Sequence, residues 1–284
     1  MPFRILKKKI LAPNIKKIIV KAPLIARKAK AGQFVILRVD EHGERIPLTL
    51  VDWNEKEGTI TLIFQEVGVS TLKLGLLEEG DEIHDILGPV GNPGDYVRDQ
   101  TICVVAGGVG IGAAYPRTKQ LKELGNYIVS IIGARSAELL ILEEEMKKYS
   151  DEIYITTDDG SKGRKGFVTE VLKELLEKGR KFDQVLSIGP PIMMKVTCDV
   201  TKPFGVKTIV SLNSMMVCGM GMCGACRVTV GGETKFTCVH GPEFDGHLVD
   251  FNELMMRLRM YKEEEQIALE KFKKNILVKS HASG

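Results

Sequence analysis

From the first residues to about position 98 the chain alternates short apolar runs with glycine-bounded turns. Phe34-Val35-Ile36-Leu37-Arg38-Val39 lies between Gly32 and Gly43, and Thr59-Ile60-Thr61-Leu62-Ile63-Phe64 between Gly58 and Gly68. β-Branched and aromatic residues fit a pleated, half-buried surface, and runs of this length bounded by glycine predict strands. The runs recur every ten to fifteen residues with no long helical period between them. A small antiparallel barrel is the natural closure.

The pattern changes at Thr101. Ile102-Cys103-Val104-Val105-Ala106 is continuously apolar, as expected of a strand buried on both faces. A glycine-rich turn and a helix to about Leu124 follow. Then come a strand at Tyr127–Gly133, a helix from about Leu139 to Tyr149 and a strand at Glu152–Thr157. A helix at Val168–Lys178 and a strand at Gln184–Ile188 complete the series. Strands and helices alternating at this spacing predict a doubly wound parallel sheet. From about residue 209 a third unit carries a hairpin, Arg227–Val230 and Glu233–Phe236. They are joined by Gly231-Gly232, which suits the positive φ of a tight turn. The last element, about Phe251 to Asn275, reads as one helix. Asp250 and Glu253 resemble a capping box at its start, and Leu254, Leu258, Tyr261, Leu269 and Phe272 share a face. Ser280–Gly284 is expected to be a frayed tail. The expected fold class is therefore multidomain α/β plus β. A barrel spans 1–98, a Rossmann-like nucleotide domain 99–208, a cysteine-bearing unit 209–250, and a terminal helix and tail 251–284.

Composition narrows the function. The 284 residues include 44% apolar and 27% charged residues with a net charge of +3, ordinary for a globular chain and without the electrostatic footprint of a nucleic-acid binder. No run approaches the ~18 apolar residues of a membrane span, and no apolar leader follows Met1. A cytoplasmic protein with no membrane or nucleic-acid partner is expected. Residues 1–30 hold ten Lys or Arg and no acid: a solvated strand face, or a docking surface for an acidic partner.

Four of the six cysteines crowd into Cys218-x4-Cys223-x2-Cys226-x11-Cys238. The first three match the C-x4-C-x2-C run of plant-type 2Fe–2S proteins. Gly219, Gly221 and Gly224 would let the loop wrap tightly and aim backbone N–H groups at the sulfurs. Zinc and plain thiols are the competing readings; structural zinc sites usually pair two short knuckles. Met215, Met216, Met220 and Met222 read as an apolar shield over this loop, and Cys103 and Cys198 as packing residues. Elsewhere, Gly108-Val109-Gly110-Ile111-Gly112-Ala113 follows the first buried strand and opens a helix, satisfying G-x-G-x-x-[G/A]. Such a turn brings a pyrophosphate close to backbone at a helix N-terminus; a ligand-free strand–helix turn is the alternative. Arg135 stands where an acidic ribose partner is usual. Asp158 and Asp159, at the end of the third strand, can accept ribose hydroxyls and favour NAD(H), while Arg135, Lys162, Arg164 and Lys165 pull toward NADP(H). Gly189-Pro190-Pro191 makes a rigid turn at the ligand-binding edge. No acid–base pair or triad stands out, so no catalytic residue is expected.

Barrel, glycine turn, Gly-Pro-Pro and cysteine loop, in this order, resemble the ferredoxin–NADP reductase superfamily over nearly the whole chain. The chain is most similar to its iron–sulfur branch. That branch includes the electron-transfer subunit of dihydroorotate dehydrogenase. It also includes the small subunits of NADH-dependent reduced ferredoxin:NADP oxidoreductase and of sulfide dehydrogenase. Arg45-Ile46-Pro47-Leu48-Thr49 matches the branch's R-x-P-x-T form. The resemblance implies Arg45 on the FAD pyrophosphate, Pro47 among the FAD-binding residues of the motif, and Leu48 and Thr49 by the flavin ring. Val67, Gly68, Ser70 and Thr71 would be the second FAD segment. The resemblance further implies FAD, a 2Fe–2S cluster and NAD(H) or NADP(H) as cofactors. Electrons would pass on to a larger flavin/iron–sulfur subunit in a heterodimer, with ferredoxin reached through that subunit. Two departures stand out. Ile188 replaces the cysteine many members carry before the Gly-Pro turn. Cys218 stands where many bifurcating small subunits carry aspartate. About 46 residues follow Cys238, as in the bifurcating and sulfide dehydrogenase subunits, whereas dihydroorotate subunits typically end soon after the last cysteine.

Overall fold

The computed structural model describes residues 3–282. Eight strands come first: β1 (Phe3–Ala12), β2 (Ile15–Lys21), β3 (Phe34–Arg38), β4 (Arg45–Thr49), β5 (Asp52–Asn54), β6 (Thr59–Gln65), β7 (Glu82–Ile83) and β8 (Asp85–Val90). The short helices α1 (Pro23–Ala26) and α2 (Val69–Leu76) lie among them. The strands pair antiparallel as β5-β6-β2-β1-β7 and β4-β3-β8. Ile18, Val20, Leu37, Leu50, Leu62 and Phe64 fill the barrel core. β6 is buried on both faces, which explains why its run is continuous rather than alternating. Ile60, Leu62 and Phe64 point into the barrel, while Ile63 packs with Ile111 and Ile15 in a second core shared with the nucleotide unit.

That unit comprises β9 (Thr101–Gly107), α3 (Gly110–Glu123), β10 (Tyr127–Ala134), α4 (Glu143–Lys148), β11 (Glu152–Thr157) and β12 (Arg164–Lys165). It continues with α5 (Val168–Glu177), β13 (Gln184–Ile188), α6 (Pro191–Thr201) and β14 (Lys207–Ser211). The last part of the chain adds β15 (Arg227–Val230), β16 (Glu233–Phe236), α7 (Thr237–His240), β17 (Glu243–Asp245), α8 (Phe251–Arg257) and α9 (Lys262–Ala282). The large sheet runs β12-β11-β10-β9-β13-β14-β17. All its pairs are parallel except β14–β17.

Several expectations are corrected. The helix expected at 139–149 is a 3₁₀ turn, Ala137–Leu139, followed by the short α4; Leu142 between them takes φ +55° and breaks the helical path. The terminal helix is two helices, with Leu258–Tyr261 between them. Asp250 caps α8 as expected, accepting the Glu253 N–H at 2.9 Å, but the Glu253 carboxylate accepts the Thr229 N–H of the hairpin at 3.1 Å instead of closing the box. α9 stays helical through Ala282, and the last two residues of the expected tail lie outside the described residues. β14 straddles position 208. The cysteine-bearing segment is thus an excursion that leaves the large sheet at β14 and returns to it at β17. The basic N-terminal stretch is partly paired with acids of its own unit: Lys8 pairs with Glu78 at 2.7 Å and Lys16 with Glu66 at 2.6 Å. Among the described residues, no helix is long and apolar enough to cross a membrane.

Candidate cofactor sites

Strand order places a crevice at the carboxyl ends of β9 and β13. From β9 the chain runs outward through β10 and β11 to β12, then crosses back through α5 to β13 on the other side of β9 and continues outward to β14, so the strand order reverses there, the position where open α/β sheets bind ligands. Gly107 ends β9, and Gly108 adopts φ +58° with open space where a side chain would stand. A Cβ on Gly110 would come within 2.7 Å of the Ile188 carbonyl oxygen and 2.9 Å of the Gly189 Cα. The glycine turn and the Gly189-Pro190 turn are therefore in contact, and α3 opens between them. Val109 precedes α3, and Gly112 and Ala113 lie in its first turn. Gly112 differs from a phosphate-contacting glycine: its nearest neighbours are side-chain atoms of Ile63, from 3.5 Å, so it admits the barrel rather than a ligand.

Arg135, Asp158 and Asp159 stand on the same sheet edge, beyond β10 and β11. The Asp158 N–H donates to Ala134 at 3.1 Å and the Asp159 N–H to Arg135 at 3.2 Å, tying the two loops. Asp159 accepts from the Ser161 N–H and hydroxyl at 2.9 and 2.6 Å, which hold its carboxyl below the usual range. The cations of this corner are partly committed: Lys162 pairs with Glu143 and Arg164 with Glu174.

Arg45, Pro47, Leu48 and Thr49 all lie on β4, an edge strand whose residues are half-buried. Arg45 donates to Asp85 of β8 at 2.6 Å across β3. The N-terminus of α2 reaches the start of this strand, because the buried Ser70 hydroxyl donates to Glu44 at 3.3 Å. Thr71 accepts from the N–H groups of Val67 and Gly68 at 3.0 Å and so caps the helix; Val67 is exposed. The two segments named for FAD therefore meet.

In the cysteine loop, the backbone N–H groups of Met220 and Cys223 donate to the Cys218 sulfur at 3.4 Å. They hold its thiol down to about 6. Gly221 N–H donates to the Cys238 sulfur at 3.2 Å, while burial beside Cys226 pushes that thiol up to about 12. Cys226 and Cys238 stand with their sulfurs 3.2 Å apart. Among the described residues, no three ligating side chains close a finished metal shell, yet the donor set suits a cluster. Cys218, Cys223 and Cys226 share a loop whose glycines 219, 221 and 224 all take positive φ, Cys238 joins them from α7, and N–H groups point at the sulfurs. Gly219 seats the loop on the barrel; a Cβ there would meet Ile36 of β3 at 2.9 Å and Leu87 of β8 at 3.3 Å. Only part of the methionine shield is realised: Met216 is buried with Ile36, but Met220 and Met222 are 62% and 84% exposed. Cys103 and Cys198 are buried, and burial raises both thiols, Cys198 to about 12, as expected of packing residues.

Comparison with known proteins assigns two stretches of the chain to families. Residues 104–199 match the oxidoreductase NAD-binding domain family, and residues 213–250 match the iron–sulfur cluster binding domain of dihydroorotate dehydrogenase B. The chain is 46% identical to a dihydroorotate dehydrogenase B electron transfer subunit homolog of Thermotoga maritima, covering 95% of each. It is 33% identical to the electron transfer subunit of that enzyme from Fusobacterium nucleatum, over 82% of this chain and 92% of the relative. A chain from the structure of an NADH-dependent reduced ferredoxin–NADP oxidoreductase superposes with a TM-score of 0.90 at 45% identity, covering 96% of this chain and 98% of that one. The chain belongs to the iron–sulfur branch of the ferredoxin–NADP reductase superfamily, among the electron-transfer subunits of the dihydroorotate dehydrogenase B type and their homologues.

Proposed function

We propose that this chain is the small, electron-transfer subunit of an electron-bifurcating NADH-dependent ferredoxin:NADP oxidoreductase, working with a larger flavin/iron–sulfur subunit. One observation carries the reading: β4 is linked through shared neighbours to both the cysteine loop and the nucleotide turn. Its Pro47 pairs with Ile36, against which Gly219 packs. Val51, two residues beyond Thr49, shares a core with Ile111 of α3. The cofactors supply the redox chemistry, FAD exchanging a hydride with NAD(H) and single electrons with a 2Fe–2S cluster.

The residues bind and orient. Arg45 would turn from Asp85 to the FAD pyrophosphate, offering its planar fork. Leu48 and Thr49 would line the flavin ring, and Val67, Gly68, Ser70 and Thr71 the phosphate side. Gly108, Val109, Gly110 and Ala113 would form the nucleotide turn, with Gly112 seating its helix on Ile63 of the barrel and Gly189 and Pro190 closing the nicotinamide end. Asp158 and Asp159 would accept the ribose hydroxyls of NADH, with Arg135 beside them. Cys218, Cys223, Cys226 and Cys238 would hold the cluster. Exposed Val217, Met220, Met222 and Val239 beside it would make the dry contact with the partner subunit.

The second reading is the electron-transfer subunit of dihydroorotate dehydrogenase, which the iron–sulfur domain match supports. The long segment after Cys238 favours the first: the bifurcating-enzyme chain is matched over 96% of this chain and the Fusobacterium subunit over 82%, whereas the Thermotoga chain matched over 95% is named only a homolog of the dihydroorotate subunit. A native pull-down with mass spectrometry decides. A larger flavin/iron–sulfur protein is expected; a dihydroorotate-binding protein overturns the choice. Anaerobic NADH should bleach the flavin band of the isolated chain faster than NADPH does.

A further inference from the structure

Arg117 lies two turns into α3 and is 1% exposed. All its N–H groups are used. Nε donates to Glu243 Oε1 at 2.7 Å, Nη2 to Glu243 Oε2 at 3.1 Å, and Nη1 and Nη2 both reach the Asp95 carbonyl oxygen at 3.3 Å; Nη1 also donates to Gln120. Arg117 and its two partners outside α3, Asp95 and Glu243, belong to three different parts of the molecule. α3 belongs to the nucleotide unit, and Asp95 to the connector that leaves the barrel. Glu243 sits on β17, five residues after Cys238, where the cysteine excursion rejoins the sheet. Gly94 lies flat on the guanidinium, since a Cβ there would fall 2.0 Å from its central carbon. A Cβ on Gly32 of the barrel would come within 2.7 Å of the Gly94 nitrogen and 3.3 Å of Glu243 Oε1. Two glycines have cleared the space in which this one side chain joins barrel, connector, nucleotide helix and cluster return strand.

We propose that Arg117, through Glu243 and the Asp95 carbonyl, is a positioning residue that fixes the cluster-bearing segment against the flavin barrel at the spacing electron transfer requires. A buried ion pair is a poor source of net stability, because desolvation offsets its attraction; its five directed bonds specify geometry. Lysine cannot replace it, having a point charge and no fork. The nucleotide turn has its own anchor on the barrel, the Ile111 and Gly112 contacts with Ile63. Loss of Arg117 should therefore leave the hydride step and slow the step that follows it.

The proposal rests on the electron-transfer reading above, and wild-type protein separates the two failures: if NADH reduces its flavin but never its cluster, that reading fails first. In the full chain, Arg117→Lys and the apolar double variant R117M/E243L, which leaves no uncompensated charge, are compared with wild type. FAD and iron content, cluster EPR g-values and cluster potential should be unchanged, and flavin bleaching by NADH should keep its rate. Stopped-flow passage of electrons from flavin to cluster should slow roughly tenfold or more. Amide exchange in 91–95 and 241–245 should rise. An unchanged flavin-to-cluster rate overturns the proposal. So does loss of either cofactor in both variants, or a slowing that disappears on cooling below a lowered melting temperature, since each makes Arg117 a structural residue only.

Discussion

Gly219→Ala tests how the cysteine loop is seated. Gly219 takes φ +73°, a conformation that costs an L-residue about 1–2 kcal/mol. Its new Cβ would also stand 2.9 Å from Ile36 Cγ1, 3.3 Å from Leu87 Cδ2 and 3.7 Å from Val90 Cγ1. Ile36 is fully buried in the centre of the β4-β3-β8 sheet and has nowhere to move. Overpacking of this kind adds about 1–3 kcal/mol. The sum, about 2–5 kcal/mol, lowers the population of the seated loop by a factor of roughly 30 to several thousand. Gly232→Ala is the matched control: φ is +81° but no atom lies within 4 Å of the new Cβ, so strain alone applies. Iron and acid-labile sulfide per chain, with EPR of the reduced protein, are the assay. Gly219→Ala should lose most of its iron or show a shifted signal, and Gly232→Ala should keep wild-type iron. Full iron with an unshifted signal in Gly219→Ala would refute the seating of the loop on the barrel.

Three further outcomes are expected. Gly110→Ala pushes a methyl against the Ile188 carbonyl and Gly189 Cα, so KM for NADH should rise while FAD and iron contents stay level; an unaltered KM argues against the turn as the nucleotide site. Arg45→Ala removes charge-assisted bonds worth about 1.5–3 kcal/mol, so FAD should be lost on gel filtration, and retention at wild-type stoichiometry would count against Arg45. Asp151 is burdened by burial, yet the Lys122 ammonium and the Ile128 N–H outweigh it and hold the carboxyl below its usual range. A lowered folded pKa means stability that is present above the unfolded value and lost as pH falls through the folded one. Asp151→Asn should therefore cost about 1 kcal/mol at neutral pH and flatten the loss of melting temperature on acidification; parallel wild-type and variant curves would contradict this.

What could be read from the sequence was what short stretches determine by themselves. Thr59–Phe64, Glu152–Thr157, Gln184–Ile188 and the Gly231-Gly232 hairpin appear where β-branched runs and turn glycines place them. The cysteine spacing and the glycine turn are likewise local chemistry. β17 had no such signal: Glu243-Phe244-Asp245 is two-thirds acidic and becomes a strand only because Ser211, Val210 and Ile209 offer it a sheet edge. The helix expected across Leu142 failed because a left-handed residue in the middle of a plausible helical pattern is invisible to periodicity. Nothing in the sequence around Arg117 marks it, since its partner lies 126 residues further on.

The misses at β17 and Arg117 share a cause, and it bears on function. Both concern how one unit meets another. The continuous apolar run of β6, legible as a strand, already carried the trace of such a meeting: a barrel strand facing a single core alternates, and one that also feeds a second core does not. The cysteine excursion is held in the same way from two sides, by β14 and β17 of the sheet and by Ile36 and Leu87 of the barrel. A segment anchored on both cannot follow one unit away from the other. The distance between the nucleotide edge and the cysteine loop is therefore a property of the whole assembly of units, and substitutions at the joints, rather than at the motifs, are the ones expected to change how fast electrons cross it.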